Sequence, residues 1–243
     1  ALVVFSHNAG ADWMNGNGVL KSVIINKGTA NEMFSEMMET IQNLITQTQY
    51  PLYVDYMEGE WFFITSAKQL ANNASVSGNY ILGADLDFTD QIWPTAFMHG
   101  NFTGTIVGNG HKISNVSITQ TNNSKVNTGL FGQLTEKASI SDVTFENTTL
   151  TIQGGTRVTG ASFGLLAGTV SDNAQITGVA IDGALQIAAD AYFGTDDYVI
   201  GLLCGTGSLE MDDSNITCAL IGENPQGITV TVENGKVILG IKE

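Results

Sequence analysis

The sequence predicts an all-β fold, a solenoid in which short strands stack on one another from turn to turn. One observation is a phrase of three apolar positions, Ile-x-x-Val-x-Ile with small or aromatic variants, which begins at residues 113, 140, 176 and 216. The spacing between these copies is unequal. A fixed phrase with variable spacing is typical of a solenoid whose turns share strands but carry loops of different length.

A second observation is a glycine-bounded run before three of these copies, at residues 129–132, 164–168 and 201–205. Glycine is typical of sharp turns and of places where backbones approach closely. The offset between the first two runs is 35 residues, and the offset between the phrases that follow them is 36. We therefore expect the runs to repeat the same place in successive turns.

A third observation is the strand pattern inside each phrase. Val143 and Phe145 share one face of a strand and Asp142 and Thr144 share the other, because strand side chains alternate. β-branched residues dominate, and Gly, Asn, Asp and Ser lie at the ends. Stacking buries the apolar face, and each fully buried aliphatic side chain contributes about 1.5–3 kcal/mol.

The composition suits one elongated all-β domain and excludes some partners. Only 14% of the 243 residues are charged, and the formal net charge is −15. Such an acidic surface repels phosphate backbones, anionic membranes and polyanionic sugars, so no nucleic-acid partner is expected. No apolar run reaches the ~18–20 residues of a membrane-spanning helix. Residues 1–5 are too short for a signal-peptide core, so we expect a soluble chain that carries no export signal itself.

Residues 1–60 do not carry the repeat, and we interpret them as an N-terminal cap. Strands are predicted at 1–5 and 19–26, on either side of a loop rich in Gly and Asn. A capping box at residues 29–32 opens an amphipathic helix over about residues 30–47. We expect this helix to cover the end of the stack, where unpaired strand edges would otherwise aggregate.

Residues 61–222 hold the repeats, and residues 223–243 are predicted to form a C-terminal cap. Two alternating segments, 228–232 and 237–241, flank Asn234-Gly235, which is the strongest short hairpin signal. We expect a β-hairpin that closes the other end of the stack.

Cys204 and Cys218 are the two cysteines of the chain, too few for a disulfide framework. Both lie in the last repeat. Two interpretations stay open: buried free thiols at core positions, or a bridge between neighbouring turns.

Several motifs occur in a characteristic order from residue 61 onward. They are Trp61-Phe-Phe-Ile64, Gly78-Asn-Tyr80, Asp85-Leu-Asp87-Phe88, Trp93-Pro94, Phe102-Thr-Gly-Thr-Ile106, Gly108-Asn-Gly-His-Lys-Ile113 and Gly129-Leu-Phe-Gly132. Over about residues 61–222 this order resembles the GLUG-motif repeats of bacterial surface proteins. It is most similar to the non-catalytic repeat region of IgA1-specific metallopeptidases of the M26 type. The resemblance implies a right-handed parallel β-helix of the pectate-lyase-like kind, exported and displayed at a bacterial surface.

The histidines do not form a zinc-peptidase motif. They are His7, His99 and His111, and none lies in His-Glu-x-x-His. The peptidase activity of the M26 enzymes therefore does not carry over, and we predict a protein that is not an enzyme and uses no cofactor. His111 lies in a turn that the family uses structurally, and a role in catalysis or ligand binding is the alternative.

One acidic cluster is a candidate calcium site. Asp85, Asp87 and Asp90 are spaced so that two carboxylates share a strand face, and calcium favours carboxylates joined by backbone carbonyls. The alternative, which the resemblance favours, is that these side chains cap turn amides between turns of the stack. No other metal site is predicted.

Three loops of unequal length, 119–128, 153–162 and 188–199, are the predicted binding positions, because solenoids carry binding in such loops. The last loop holds the candidate ligand-binding residues Tyr192, Phe193, Asp196, Asp197 and Tyr198. Aromatic side chains suit the faces of sugars, although core packing explains them equally well.

We therefore expect a non-enzymatic, extracellular bacterial surface module that acts as an adhesin or as a spacer. A host protein or glycan, and neighbouring domains of a larger surface protein, are the expected partners. The competing interpretation is a carbohydrate-active enzyme, a glycoside hydrolase or polysaccharide lyase, on the same scaffold. The acidic pairs at 196–197 and 212–213 would have to supply carboxylates at catalytic separation. Adhesin and spacer stay unresolved because neither requires a fixed set of residues.

Overall fold

The computed structural model describes residues 2–7, 20–26, 52–55, 60–121, 126–154, 161–191, 199–207, 209, 211, 215–222, 228–233 and 236–241. Within these ranges the chain is all-β, with strands joined mainly in parallel and two short helices. The helices are α1 (Ala67–Asn73) and α2 (Thr95–Met98). The Ser66 hydroxyl accepts a hydrogen bond from the Gln69 backbone N–H and thereby caps the first turn of α1.

The N-terminal strands extend one sheet of the repeat region. They are β1 (Leu2–His7), β2 (Leu20–Asn26), β3 (Leu52–Asp55) and β4 (Glu60–Ile64). β1 pairs antiparallel with β2, β2 pairs parallel with β3, and β3 pairs antiparallel with β4. The predicted strands at 1–5 and 19–26 are thus present, and the predicted helix over 30–47 lies outside the described residues.

The repeat region forms three parallel sheets. The first sheet continues from β4 through β5 (Asn79–Leu82), β8 (Thr105–Val107), β12 (Ser139–Ser141) and β16 (Gln175–Thr177). The second sheet contains β6 (Leu86–Asp87), β9 (Lys112–Ser114), β10 (Ser117–Thr121), β13 (Thr144–Gln153), β17 (Ala180–Ile187) and β20 (Ile216–Gly222). The third sheet contains β7 (Asn101–Phe102), β11 (Phe131–Leu134), β15 (Ala167–Val170) and β19 (Cys204–Thr206).

The chain visits these sheets in a constant order. Three times in succession it runs from the third sheet to the first and then to the second, through β7-β8-β9, β11-β12-β13 and β15-β16-β17. Two further short strands, β14 (Ser162–Phe163) and β18 (Val199–Ile200), pair with each other in parallel before β15 and β19. Each visit lays a strand beside its counterpart from the previous turn, so apolar residues stack in columns.

The register confirms part of the predicted repeat and corrects the rest. Ile140 pairs with Ile176 in the first sheet, as the phrase alignment predicts. The phrases that begin at 113 and 216 do not align with these two. Their first residues pair with the last residues of neighbouring phrases in the second sheet, Ile113 with Phe145 and Ile216 with Ile181. The physical reason is that every strand of one turn shows the same alternation, so the pattern does not say which strand of the turn it belongs to.

The glycine-bounded runs do stack in register. The backbone N–H of Leu130 donates to the carbonyl of Leu165, and the N–H of Leu165 donates to the carbonyl of Leu202, both at 3.0 Å. A Cβ at Gly129 would collide with the carbonyl oxygen of Gly164, so only glycine fits beside the next run.

Aromatic side chains fill the interior between the three sheets at the N-terminal end of the stack. Trp93 donates a hydrogen bond from Nε1 to the Leu130 carbonyl at 2.7 Å, which satisfies the buried indole N–H. Its ring lies at the centre of a fully buried cluster with Phe88, Phe97, Phe131 and Phe145. Aliphatic columns replace the aromatic residues toward β17.

The C-terminal segments form the predicted hairpin. β21 (Ile228–Glu233) pairs antiparallel with β22 (Lys236–Ile241), with Val232 opposite Val237. β22 contacts β18 and β19. The hairpin therefore lies against the last strands of the third-sheet side of the stack.

Both cysteines are free thiols, Cys204 buried and Cys218 partly buried. Burial, with a smaller contribution from the charge of Asp182, raises the pKa of Cys218 to about 12. Its Sγ lies 3.7 Å from the Ile181 carbonyl oxygen. None of the helices that the structure describes is long and apolar enough to cross a membrane.

Candidate functional site

The three predicted binding loops all connect the second sheet to the third-sheet side of the stack. They leave the second sheet from adjacent strands, because Thr121 pairs with Gln153 and Ile152 pairs with Ile187. They end on adjacent segments too, because Phe163 pairs with both Thr128 and Ile200. Both anchor points of each loop thus lie beside those of the next.

The candidate ligand-binding residues Tyr192, Phe193, Asp196, Asp197 and Tyr198 lie outside the described residues. Their loop is bounded by Ala191, which is buried, and by β18. The described chain therefore positions the ends of this loop.

A polar cluster lies where the loops return to the stack, and the sequence did not reveal it. Ser162 donates its backbone N–H to Asn127 Oδ1 at 3.1 Å, and its hydroxyl lies 2.8 Å from that of Thr206. Thr128 is fully buried and donates its hydroxyl to the Val126 carbonyl at 3.0 Å. These bonds fix the returning ends of the first two loops to each other and to β19.

His99 adds a titratable group to this cluster, which we name the loop-base cluster: His99, Asn127, Thr128, Ser162 and Thr206. His99 Nδ1 lies 3.5 Å from the Thr128 hydroxyl. Burial lowers the pKa of His99, and hydrogen bonds with the backbone of Asn127 and Met98 act in the opposite direction. The neutral imidazole is therefore the form that this position favours.

Two of the candidate calcium ligands, Asp85 and Asp87, accept hydrogen bonds from the next turn of the stack. Asp85 Oδ1 accepts hydrogen bonds from the Lys112 backbone N–H at 3.0 Å and from His111 Nδ1 at 3.1 Å. The bond from the Lys112 backbone is the main cause that lowers the pKa of Asp85. The carbonyl of Asp90 accepts a bond from the side chain of Gln91.

Asp87 is engaged in the same manner. Its Oδ1 accepts bonds from Asn115 Nδ2 at 2.9 Å and from the backbone N–H and hydroxyl of Thr89 at 2.9 and 2.7 Å. The Asn115 amide is the main cause that lowers the pKa of Asp87. Asp85 and Asp87 thus make the turn-capping contacts of the alternative interpretation. Across the described ranges, no three His, Cys, Asp or Glu side chains are grouped so that they could hold a metal ion.

A ladder of amide side chains continues from Asp87 along the stack. Asn147 Nδ2 donates to Asn115 Oδ1 at 2.7 Å, and the Asn147 backbone N–H donates to Asp182 Oδ2 at 3.2 Å. Asn115 and Asn147 have φ angles of 59° and 50°, a conformation that asparagine tolerates better than most residues. Asparagine side chains at equivalent places in successive turns thus hydrogen-bond to each other.

The family comparison decides what this stack belongs to. The family model of the M26 IgA1-specific metallo-endopeptidase N-terminal region matches residues 53–183, more than half of the chain. The chain belongs to this family. No curated protein and no solved structure matches it significantly.

The M26 N-terminal-region match confirms the resemblance seen in the ordered motifs. It covers most of β3 through the first half of β17, and so includes the amide ladder, Asp85, His99 and the returning end of the second loop. The matched model describes the N-terminal region of these bacterial peptidases and not their catalytic part. The loop at 188–199 and the strands β18 to β22 lie beyond the match.

Proposed function

We propose that this M26 N-terminal-region chain is a non-enzymatic module of a larger bacterial surface protein. It is exported, holds neighbouring domains away from the cell wall and presents loops to a host protein or glycan. The observation that carries the proposal is the adjacency of the loop anchors. Thr121, Gln153 and Ile187 end adjacent strands, and Thr128, Phe163 and Ile200 receive the returning chain.

We also propose that the stack is a right-handed parallel β-helix of the pectate-lyase-like kind, built from GLUG-type repeats over 61–222. Regions 1–60 and 223–243 are its caps. The constant order of sheet visits supports this fold, because a chain that returns to the same parallel sheet does so right-handed in nearly all proteins. The filled apolar interior also supports a structural stack rather than a reaction chamber.

The proposed contact residues are Tyr192, Phe193, Asp196, Asp197 and Tyr198. Aromatic rings supply large contact area to sugars and proteins at low entropic cost, and the carboxylates accept hydrogen bonds from hydroxyl or amide groups. Loops on a rigid scaffold are where binding residues concentrate. The neighbouring loops add Lys125 and Arg157, the latter being the single arginine of the chain.

The test is a binding screen of the purified chain on a glycan array and a panel of secreted and surface host proteins. A variant with residues 192–198 replaced by Gly and Ser is the probe. A variant in which the exposed turn residues Asp172 and Asn173, outside the three loops, are replaced by Gly and Ser is the control. Binding that the first replacement abolishes and the second retains supports the adhesin form of the proposal.

The same samples are assayed for hydrolysis and lyase activity on polysaccharides. Turnover that Asp197→Asn or Asp85→Asn abolishes would overturn the proposal in favour of a carbohydrate-active enzyme. If the chain shows neither binding nor turnover, the result favours the spacer form.

A further inference from the structure

The last strand of the second sheet has one unpaired edge in the described part of the chain. β20 pairs in parallel with β17 along all seven of its residues, and within the described part of the chain no strand pairs with its other side. Such an edge presents a row of N–H and C=O groups that can bind another strand. Its sequence is Ile-Thr-Cys-Ala-Leu-Ile-Gly, with no proline and no charged residue. Prolines and charged residues, lysine above all, are what usually prevent an edge strand from pairing with another chain.

Two other edges of the stack are short or covered. β6, at the opposite edge of the second sheet, is two residues long and lies between Asp85 and Asp90. β18 and β19 contact β22 of the C-terminal hairpin. β20 is longer than β6, and none of the described strands covers it.

The side chains of β20 leave apolar surface exposed at this edge. Ile216 and Leu220 continue the interior columns of Ile181 and Leu185, which are 1% and 0% exposed. Ile216 and Leu220 themselves are only partly buried. On the outward side Ile221 is 50% exposed, one of the few large apolar residues so exposed in the described chain. A strand added at this edge would cover apolar surface that the chain leaves open.

We propose that β20 pairs antiparallel with β20 of a second copy of this chain, with the two-fold axis at Ala219. The strand is complementary to itself in that register. Ile216 lies opposite the small Gly222 of the second copy, and Thr217 lies opposite Ile221. Each position on the strand has the same counterpart in both copies, as a two-fold interface requires.

The charge distribution favours this occupant. Two chains of net charge −15 repel each other, so they associate where carboxylates are absent. β20 has no charge, and Ala184 and Gln186, the outward residues of β17 beside Ala219 and Ile221, have none either. The remaining outward neighbour, Asp182, lies beside Thr217 near one end of the strand. A second copy that approaches around Ala219 therefore meets backbone groups and neutral side chains.

The experiment compares the oligomeric state of the whole chain and three variants by sedimentation velocity and light scattering over the micromolar range. Ala219→Glu places two carboxylates directly opposite each other at the axis. Ala184→Glu adds the same charge at the same register position one strand away, and is the matched control. Circular dichroism and thermal unfolding verify that each variant is folded.

We expect a concentration-dependent dimer for the unsubstituted chain and for Ala184→Glu, and a dimer about fivefold weaker or more for Ala219→Glu. Ala219→Lys alone should also weaken the dimer. An equimolar mixture of the Ala219→Lys and Ala219→Glu variants should restore it, because opposite charges then meet at the axis. A monomer at all concentrations, or a dimer that Ala219→Glu leaves unchanged, overturns the proposal.

Discussion

Asn147 donates its side-chain amide to the side-chain oxygen of Asn115, 2.7 Å away and 32 residues earlier in the chain. Both residues adopt a left-handed backbone conformation at the same place in successive turns. Asn115 in turn donates to Asp87 at 2.9 Å. These two bonds together join three turns of the second sheet through one column of polar side chains.

Asn147→Ala should lower the free energy of unfolding by about 1–3 kcal/mol. The variant loses the side-chain hydrogen bond to Asn115. It also places alanine, which has a Cβ but no polar side chain, in the left-handed backbone conformation. Asn147→Gly should lower the free energy of unfolding less, because glycine adopts the left-handed conformation without strain. Urea unfolding measures both, with the exposed Asn101→Ala as control. Equal stability of all three variants would contradict the importance of the ladder.

Phe131→Ala should lower the free energy of unfolding by about 3–5 kcal/mol, because it leaves a cavity inside the aromatic cluster. Phe131 is fully buried and contacts the rings of Trp93 and Phe145. Gln133→Ala, on the same strand with its side chain outside the core, should change stability by about 0.5 kcal/mol or less. Chemical denaturation that finds similar losses for the two variants would refute the packing described for this strand.

The loop-base cluster should make stability depend on pH through His99. Burial lowers its pKa in the folded chain, so the unfolded chain binds the proton more readily. The stabilising contribution is present above the unfolded pKa of about 6.5 and is lost as the pH falls from there toward the lower folded pKa. Thermal unfolding between neutral pH and mildly acidic pH should show a smaller acid-induced decrease in Tm for His99→Gln than for the parent chain. Identical decreases would show that His99 is not the group concerned.

Cys218 should react slowly with thiol reagents in the folded chain. Its pKa of about 12 keeps the thiol protonated at neutral and mildly alkaline pH, and the thiolate is the reactive form. In a Cys204→Ala background, labelling by a disulfide reagent should be much faster in denaturant than without it. Rapid labelling of the folded chain would contradict the burial of this thiol.

The same pKa predicts an alkaline loss of stability. Below the unfolded pKa of about 8.5 the protonated thiol is common to both states, and its contribution is fully present. As the pH rises toward 12, the unfolded chain releases the proton first and folding becomes less favourable. Cys218→Ala should flatten the fall in Tm on the alkaline side, which a pH series of thermal scans would measure.

Calcium should leave the thermal stability unchanged. The Oδ1 atoms of Asp85 and Asp87 already accept hydrogen bonds from groups in their own turn and the next. A ligand that binds only the folded state stabilises it by RT ln(1 + [L]/Kd), so an occupied calcium site would raise Tm. Thermal scans with excess calcium and with a chelator should therefore coincide. A higher Tm in calcium that Asp87→Asn abolishes would instead establish a calcium site at these residues.

Much of the fold was open to prediction because it depends on local patterns. The alternation around Phe145 predicts a strand whatever it pairs with, and the Asn234-Gly235 signal predicts the hairpin of β21 and β22. The asparagine ladder was also predictable, since Asn115 and Asn147 occupy similar turn contexts. The loop-base cluster was not, because His99, Thr128 and Ser162 share no local signal and meet only through pairing between distant segments.

The sequence by itself determined that this chain consists of short amphipathic strands separated by glycine and asparagine turns, because alternation and turn chemistry are properties of each segment alone. It also determined the family, through the order of its motifs. Only the tertiary structure decided which strand lies on which: Ile113 beside Phe145, and Ile216 beside Ile181. The reason is that similar strands within one turn offer nearly equivalent local patterns. The choice among them depends on the combined packing of side chains from different turns.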